Sequence, residues 1–296
     1  MTMPSTATFD RFLDDIFPCL LLWVGPQQGK DIRRLGLGTM AQICNTFNEQ
    51  GSFDRYARFS LPLTTLSVRD ASMSGDWRLA RNAAFYLGEI ALSSSAQGVQ
   101  ELCSEAVPDV VALASNGTAD GFARDNAAAC LAKIMVSVPH CLDEEHVAVI
   151  LEALVKSVPL RSDVDENSVV VETLNQAIAC GYEMSQWISE VVERYAQALA
   201  EADSIGLPES AKQAYVQGLN IVSRSAPEAV KDALDCLPET VGKIMDDGIA
   251  KNTDSSPIRR HTTGQKPTEM LRCGSRNIDN RIVVSESSDY DFETDN

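Results

Sequence analysis

The stretch Trp77-Arg78-Leu79-Ala80-Arg81-Asn82-Ala83-Ala84-Phe85-Tyr86-Leu87-Gly88-Glu89-Ile90-Ala91 decides the fold. Leu79, Ala83, Ala84, Leu87, Ile90 and Ala91 recur at helical spacing, so it reads as an amphipathic helix. Ala83, Ala84 and Gly88 are small enough to let a neighbouring helix approach closely. The same phrase returns along the chain. Leu87 aligns with Met40 in the stretch starting at Arg34, with Leu131 in the stretch starting at Asp125, and more faintly with Leu219. The spacings are 87 − 40 = 47, 131 − 87 = 44 and 219 − 131 = 88, which is twice 44. The double gap predicts a weak copy near position 175, where Glu172-Thr173-Leu174-Asn175-Gln176-Ala177-Ile178 stands.

A second series keeps the same beat. Pro18, Pro62 and Pro108 lie 62 − 18 = 44 and 108 − 62 = 46 residues apart. Each sits in an apolar helical stretch that precedes a small-residue helix: Phe9 to Val24, Phe53 to Val68 and Val99 to Ser115. An interior proline removes a backbone hydrogen bond and kinks a helix. The unit is therefore an A helix carrying proline, then a B helix carrying small residues. The fourth pair is Glu144 to Val158 and Glu166 to Cys180, and the fifth is Ser185 to Ala202 and Glu209 to Ser223. A last A-like helix is expected over Pro227 to Asp247.

A two-helix unit of roughly 40–47 residues is the HEAT/armadillo pattern. One such unit cannot bury its own apolar face, whereas stacked units bury a continuous core as a solenoid. The expected fold is all-α: an α-solenoid of about five HEAT (armadillo-like) repeats over residues 9–248. Residues 1–8 are expected to be a disordered lead. Residues 249–296 lack an apolar period and end in Ser285-Glu286-Ser287-Ser288-Asp289-Tyr290-Asp291-Phe292-Glu293-Thr294-Asp295, a composition expected to stay disordered.

The 296 residues carry a formal net charge of −17. Seven Lys/Arg and eight Asp/Glu fall from Ile249 onward, so the helical body holds 18 − 34 = −16. Such acidity argues against direct binding to nucleic-acid phosphates and suits a basic protein partner. The eight cysteines form no Cys-x-x-Cys pair, and several fall on apolar helix faces. They read as buried reduced thiols rather than a disulfide framework or zinc site. His140, His146 and His261 show no ligand spacing, so no metal or cofactor is expected. The longest apolar run, Cys19 to Val24, is too short to span a bilayer, and the N-terminus shows no signal-peptide pattern. No phosphate loop, His-Glu-x-x-His or Gly-x-Ser-x-Gly is present, which speaks for a non-enzyme. Gly36 and Gly38 read as a close helix contact.

Residues 9–181 resemble the C-terminal HEAT repeats of karyopherin-β (importin-β-type) nuclear transport receptors, nearest to the importins that carry ribosomal proteins and histones. The resemblance rests on Arg81 to Gly88, on Ala106-Val107-Pro108-Asp109-Val110-Val111, and on Asp125-Asn126-Ala127-Ala128-Ala129-Cys130-Leu131-Ala132-Lys133-Ile134-Met135 followed by Val158-Pro159-Leu160-Arg161-Ser162-Asp163-Val164-Asp165-Glu166. It implies recognition of basic cargo for nucleocytoplasmic transport, between cytoplasm and nucleus and at the nuclear pore. Receptors of that family are longer and contact the GTPase Ran through N-terminal repeats. The resemblance therefore implies a terminal piece, with Ran as a partner only where such repeats are supplied. HEAT periodicity alone also fits phosphatase scaffolds, condensin-like proteins and other adaptors, so a non-catalytic scaffold subunit is the alternative.

Asp125, Asp163, Asp165 and Glu166 are the expected acidic cargo contacts. Asp143, Glu144 and Glu145 precede a helix and suit its N-terminal dipole. Arg34 and Arg81, at equivalent positions opening B helices, are expected to pair with acids of the adjacent repeat as a ladder. Asn82, Asn126 and the three prolines belong to the repeat framework. Trp77 and Trp187 read as core or rim packing.

Overall fold

The computed structural model describes residues 6–47, 51–182 and 184–225. Its twelve α-helices fall into five A/B repeats along the chain in the expected order. The first repeat is α1 (Thr6–Val24) and α2 (Lys30–Phe47), and the second is α3 (Asp54–Ser74) and α4 (Trp77–Ser93). The third is α5 (Gln97–Glu105) with α6 (Val107–Ala114), then α7 (Gly121–Ser137). The fourth is α8 (Glu144–Ser157) and α9 (Asn167–Ala179). The fifth is α10 (Ile188–Ala200), a single turn α11 (Ala202–Ile205), and α12 (Glu209–Ser225). The described residues contain no strand.

Each A helix packs on its own B helix, and each B helix packs on the next: α2 on α4, α4 on α7, α7 on α9, α9 on α12. The A helices form a parallel row, α1 on α3, α3 on α5 and α6, α6 on α8. This is an α-solenoid with one core running through it. The anchors Met40, Leu87, Leu131 and Leu219 are all fully buried. The weak copy is α9. Its anchor position holds Asn175, which is buried and satisfied: its Nδ2 donates to the Ala214 carbonyl at 2.8 Å, and the Tyr195 hydroxyl donates to its Oδ1 at 3.1 Å.

The small residues act as expected. A Cβ on Gly36 would stand 2.9 Å from Val24 Cγ1, and one on Gly38 would stand 3.0 Å from Asn82 Nδ2. A Cβ on Gly88 would come within 3.2 Å of the Cys130 Cα. Helix starts are set by capping: Asp76, Asp120 and Asp143 accept from the Leu79, Ala123 and His146 amides. Gly75 closes α3 with a positive φ of 70°, which side-chain-bearing residues rarely adopt.

Several expectations are corrected. Helix α1 begins at Thr6, inside the expected lead. The stretch expected as one helix over Val99 to Ser115 is two. Pro108 cannot donate to the Ser104 carbonyl, so the chain breaks at Ala106 and the proline sits in the first turn of α6, a favoured place. Pro18 and Pro62 do lie inside α1 and α3. The fifth A helix starts at Ile188 rather than Ser185 and ends at Ala200, before the separate turn α11. Cys44, Cys103 and Cys130 are buried, but Cys19 is exposed. The helix expected over Pro227 to Asp247 and the tail from 249 lie outside the described residues.

Replacing Gly88 by valine puts a branched side chain against the α7 backbone. A loss of about 1–3 kcal/mol is expected in urea denaturation, with the helical circular dichroism retained. An unchanged midpoint would contradict the close α4–α7 approach.

Candidate functional site

The residues that carried the functional expectation gather on α7 and on the loop joining α8 to α9. Helix α7 lies between α4, α6, α8 and α9, and every residue from Asp125 to Met135 is buried. Polar groups there have little water to bond, so each needs a partner within the protein.

Asp125 finds three. Its Oδ2 accepts the backbone amides of Arg161, Ser162 and Asp163 at 3.1, 2.7 and 2.9 Å. The carboxylate thus holds the turn after α8 as a capping residue holds a helix start. Burial pushes the Asp125 carboxyl above the usual range, and the three amides and Arg124 oppose that shift. Asn126 donates from Nδ2 to Asp163 Oδ2 at 2.7 Å. Burial likewise raises Asp163, against the Asn126 bond and the nearby Arg81 charge. Asn167 closes the loop from behind. It takes the Leu160 amide and the Tyr215 hydroxyl on Oδ1, at 2.9 and 2.7 Å, and donates to the Leu160 and Val164 carbonyls.

Two turns further along α7, Lys133 lies between two carboxylates. Its Nζ is 2.9 Å from Glu89 Oε1 on α4 and 2.9 Å from Glu166 Oε1 on the loop. The Lys133 and Glu89 side chains are 7% and 5% exposed. Burial alone would lower the Lys133 ammonium, but Glu166 and Glu89 outweigh it and hold the group above its ordinary value. Glu89 is raised by burial, with only part of that recovered from an ammonium it shares. The triad joins three successive repeats.

Three of the four expected cargo contacts are therefore fastenings. Asp125, Asp163 and Glu166 bond inward: Asp125 lies on the enclosed α7, and the half-buried loop that carries the other two closes over that helix. Asp165 alone of the four is exposed. The expected arginine ladder holds at Arg34, whose Nε donates to Asp76 Oδ1 of the next repeat at 3.0 Å. At Arg81 it is corrected: the guanidinium lies 4.6 Å from the centroid of the Phe122 ring, a cation–π contact across the same junction. Asn82 donates to the Arg34 carbonyl. Trp77 and Trp187 are half-buried against the core.

Other junctions use the same device. Asp54 accepts the Ser95 and Ala96 amides, Tyr56 donates to Asp14, and Arg69 grips Asp109 through two bonds. The Glu89–Lys133 link was legible in principle. The two lie 133 − 89 = 44 residues apart, one repeat, with opposite charges in the apolar second halves of two successive B helices.

Among the described residues no group of three His, Cys, Asp or Glu stands close enough to hold a metal ion, and no helix is long and apolar enough to cross a membrane. Burial raises the Cys44 and Cys130 thiols and takes Cys103 to about 12, which disfavours the reactive thiolate. No protein-family model matches the chain, and no curated protein matches it.

Because Glu89, Asp125 and Asp163 have raised folded-state values, the folded state binds more protons than the unfolded chain between the ordinary carboxylate range and those values. Their contribution to stability therefore falls as pH rises through that window. The wild type is expected to gain more urea resistance than Glu89→Gln as pH falls from neutrality toward the ordinary carboxylate range. Equal gains would contradict a Glu89 carboxyl raised by burial.

Proposed function

We propose that the chain is a non-catalytic protein-binding module of a karyopherin-β-type nuclear transport receptor, recognising basic cargo such as ribosomal proteins and histones. The observation that supports this most is the unbroken stack of B helices α2, α4, α7, α9 and α12, the repeat construction of such receptors. That stack belongs to a body whose sequence carries −16. Many weak contacts along the exposed parts of such a stack suit long basic segments, and the net field speeds their encounter. The segments that resemble the transport receptors, Asp125 to Met135 and Val158 to Glu166, form the fastening between the third, fourth and second repeats. The likeness is thus one of repeat construction, and it leaves Asp165 and the exposed helix surfaces for cargo. The reading places the protein in the cytoplasm and nucleus.

A second reading, a scaffold subunit in a larger complex, is favoured by one feature. On the first repeat, Leu22, Trp23, Ile32 and Leu35 are 63%, 40%, 43% and 52% exposed. An apolar end of this kind suits permanent stacking against another helical surface.

Immobilised full-length chain, offered histone and ribosomal-protein mixtures across a salt series, separates the two. Screening shortens the reach of charge from about 10 Å at 0.1 M to about 3 Å at 1 M salt. The transport reading expects several basic proteins to bind at low salt and to be lost toward the upper end. One stoichiometric partner that survives high salt would instead establish the scaffold, and binding of no basic protein would count against cargo recognition.

A further inference from the structure

The loop between α6 and α7 brings a nucleophile and an electrophile of the chain together. It reads Ser115-Asn116-Gly117-Thr118-Ala119, and Asn116 is the chain's single asparagine followed by glycine. Asn116 Oδ1 accepts the Thr118 amide at 2.9 Å and the Thr118 hydroxyl at 2.8 Å. This Asx turn lays the side-chain carboxamide over the peptide that follows it. Two donors on one carbonyl oxygen make Cγ more electrophilic and stand ready for negative charge that develops on that oxygen. The backbone holds the same shape: the Asn116 amide donates to the Leu113 carbonyl, and the Ala119 amide to the Asn116 carbonyl, each at 3.1 Å. The nucleophile is the Gly117 nitrogen. Gly117 is exposed, and its amide donates to no acceptor among the described residues. No neighbouring atom stands within 4 Å of the place a Cβ would take there.

We propose that Asn116 is a self-modification site, converting without an enzyme to aspartate and isoaspartate. The Gly117 nitrogen gives its proton to a solvent base and attacks Asn116 Cγ. The Cγ–Nδ2 bond breaks, and Nδ2 takes a proton from solvent and leaves as ammonia. The product is a five-membered succinimide ring. Water then opens the ring. Breaking the new Cγ–N bond gives aspartate; breaking the original C–N bond leaves the main chain running through Cβ and Cγ as isoaspartate. Water and solvent base are the only co-reactants, and nothing is oxidised or reduced. Ring closure needs no encounter, because both reacting groups belong to adjacent residues.

Asn167 shows the opposite arrangement in the same molecule. It too precedes a small residue, Ser168, but it is fully buried at the start of α9. Its Nδ2 donates to the Leu160 and Val164 carbonyls, and its Oδ1 takes the Leu160 amide and the Tyr215 hydroxyl. Four bonds lock that carboxamide, and the leaving group is held. Asn126 and Asn175 also commit Nδ2 to acceptors. Conversion at Asn116 has a local consequence. It adds a negative charge beside Asp120, which caps α7. In isoaspartate the carbonyl that accepts the Ala119 amide becomes a free carboxylate, so the turn that leads into α7 is lost. The start of the enclosed helix therefore loosens as the molecule ages.

The test is timed incubation of the full-length chain in heavy-oxygen water, read by peptide mass spectrometry with fragmentation that separates aspartate from isoaspartate. Asn116 is expected to convert ahead of every other asparagine, to give both products, and to convert faster as pH rises. Its rate in the folded chain is expected to match or exceed that of the same chain unfolded in urea. Gly117→Ala fits the open space and an ordinary φ, so it keeps the loop while its methyl group hinders ring closure; it is expected to slow conversion on the order of tenfold. Thr118→Val keeps the shape and removes the hydroxyl donor. It is expected to lower the folded rate about fivefold, the worth of one neutral hydrogen bond, and to leave the rate in urea unchanged. A folded rate below that in urea, a folded rate indifferent to Thr118→Val, or earlier conversion at Asn167 would overturn the proposal.

Discussion

The enclosure of α7 constrains everything around it. A helical hairpin of this kind cannot bury its apolar face alone, so the third B helix is covered by α4, α6, α8 and α9. Once it is covered, its polar residues are cut off from water. Asp125, Asn126 and Lys133 can remain there only if neighbours satisfy them. The neighbours are the amides of residues 161–163, the Asp163 carboxylate, and Glu89 with Glu166. These bonds fix the loop after α8, and that loop fixes where α9 starts. Packing makes the polar contacts obligatory, and they in turn set the register of the stack.

The same logic separates affinity from architecture. A carboxylate that accepts three amides and is buried beneath a loop cannot also reach a cargo side chain without releasing them. Charge available for partners must come from residues left on the helix surfaces and loop tips, such as Asp165. The body can therefore be strongly acidic while most of its conspicuous acidic motif is spent on internal bonds.

Much of the fold was legible because two features recur together. Proline in the A helices and small residues in the B helices keep one period, and the anchors Met40, Leu87, Leu131 and Leu219 all fall in the core. The faint copy was hard to read because Asn175 replaces an apolar anchor, and its partners, Tyr195 and the Ala214 carbonyl, are 20 and 39 residues away. The break at Ala106 was missed since a proline in an apolar run can kink a helix or end it. The site residues were visible but their direction was not. Asp163 and Glu166 look like a solvated loop in one dimension, and only the placement of Asn126 and Lys133 beneath them turns them inward. Opposite charges one repeat apart, as in Glu89 and Lys133, were the signal that could have shown it.

Hydrogen exchange at the Arg161, Ser162 and Asp163 amides tests the central claim most directly. If Asp125 fastens the repeats, these loop amides exchange as slowly as amides inside α9, and Asp125→Ala speeds all three together while α4 remains protected. Exchange in the wild type at the rate of an exposed loop such as Gly117–Thr118 would contradict the fastening and return the acidic motif to the surface.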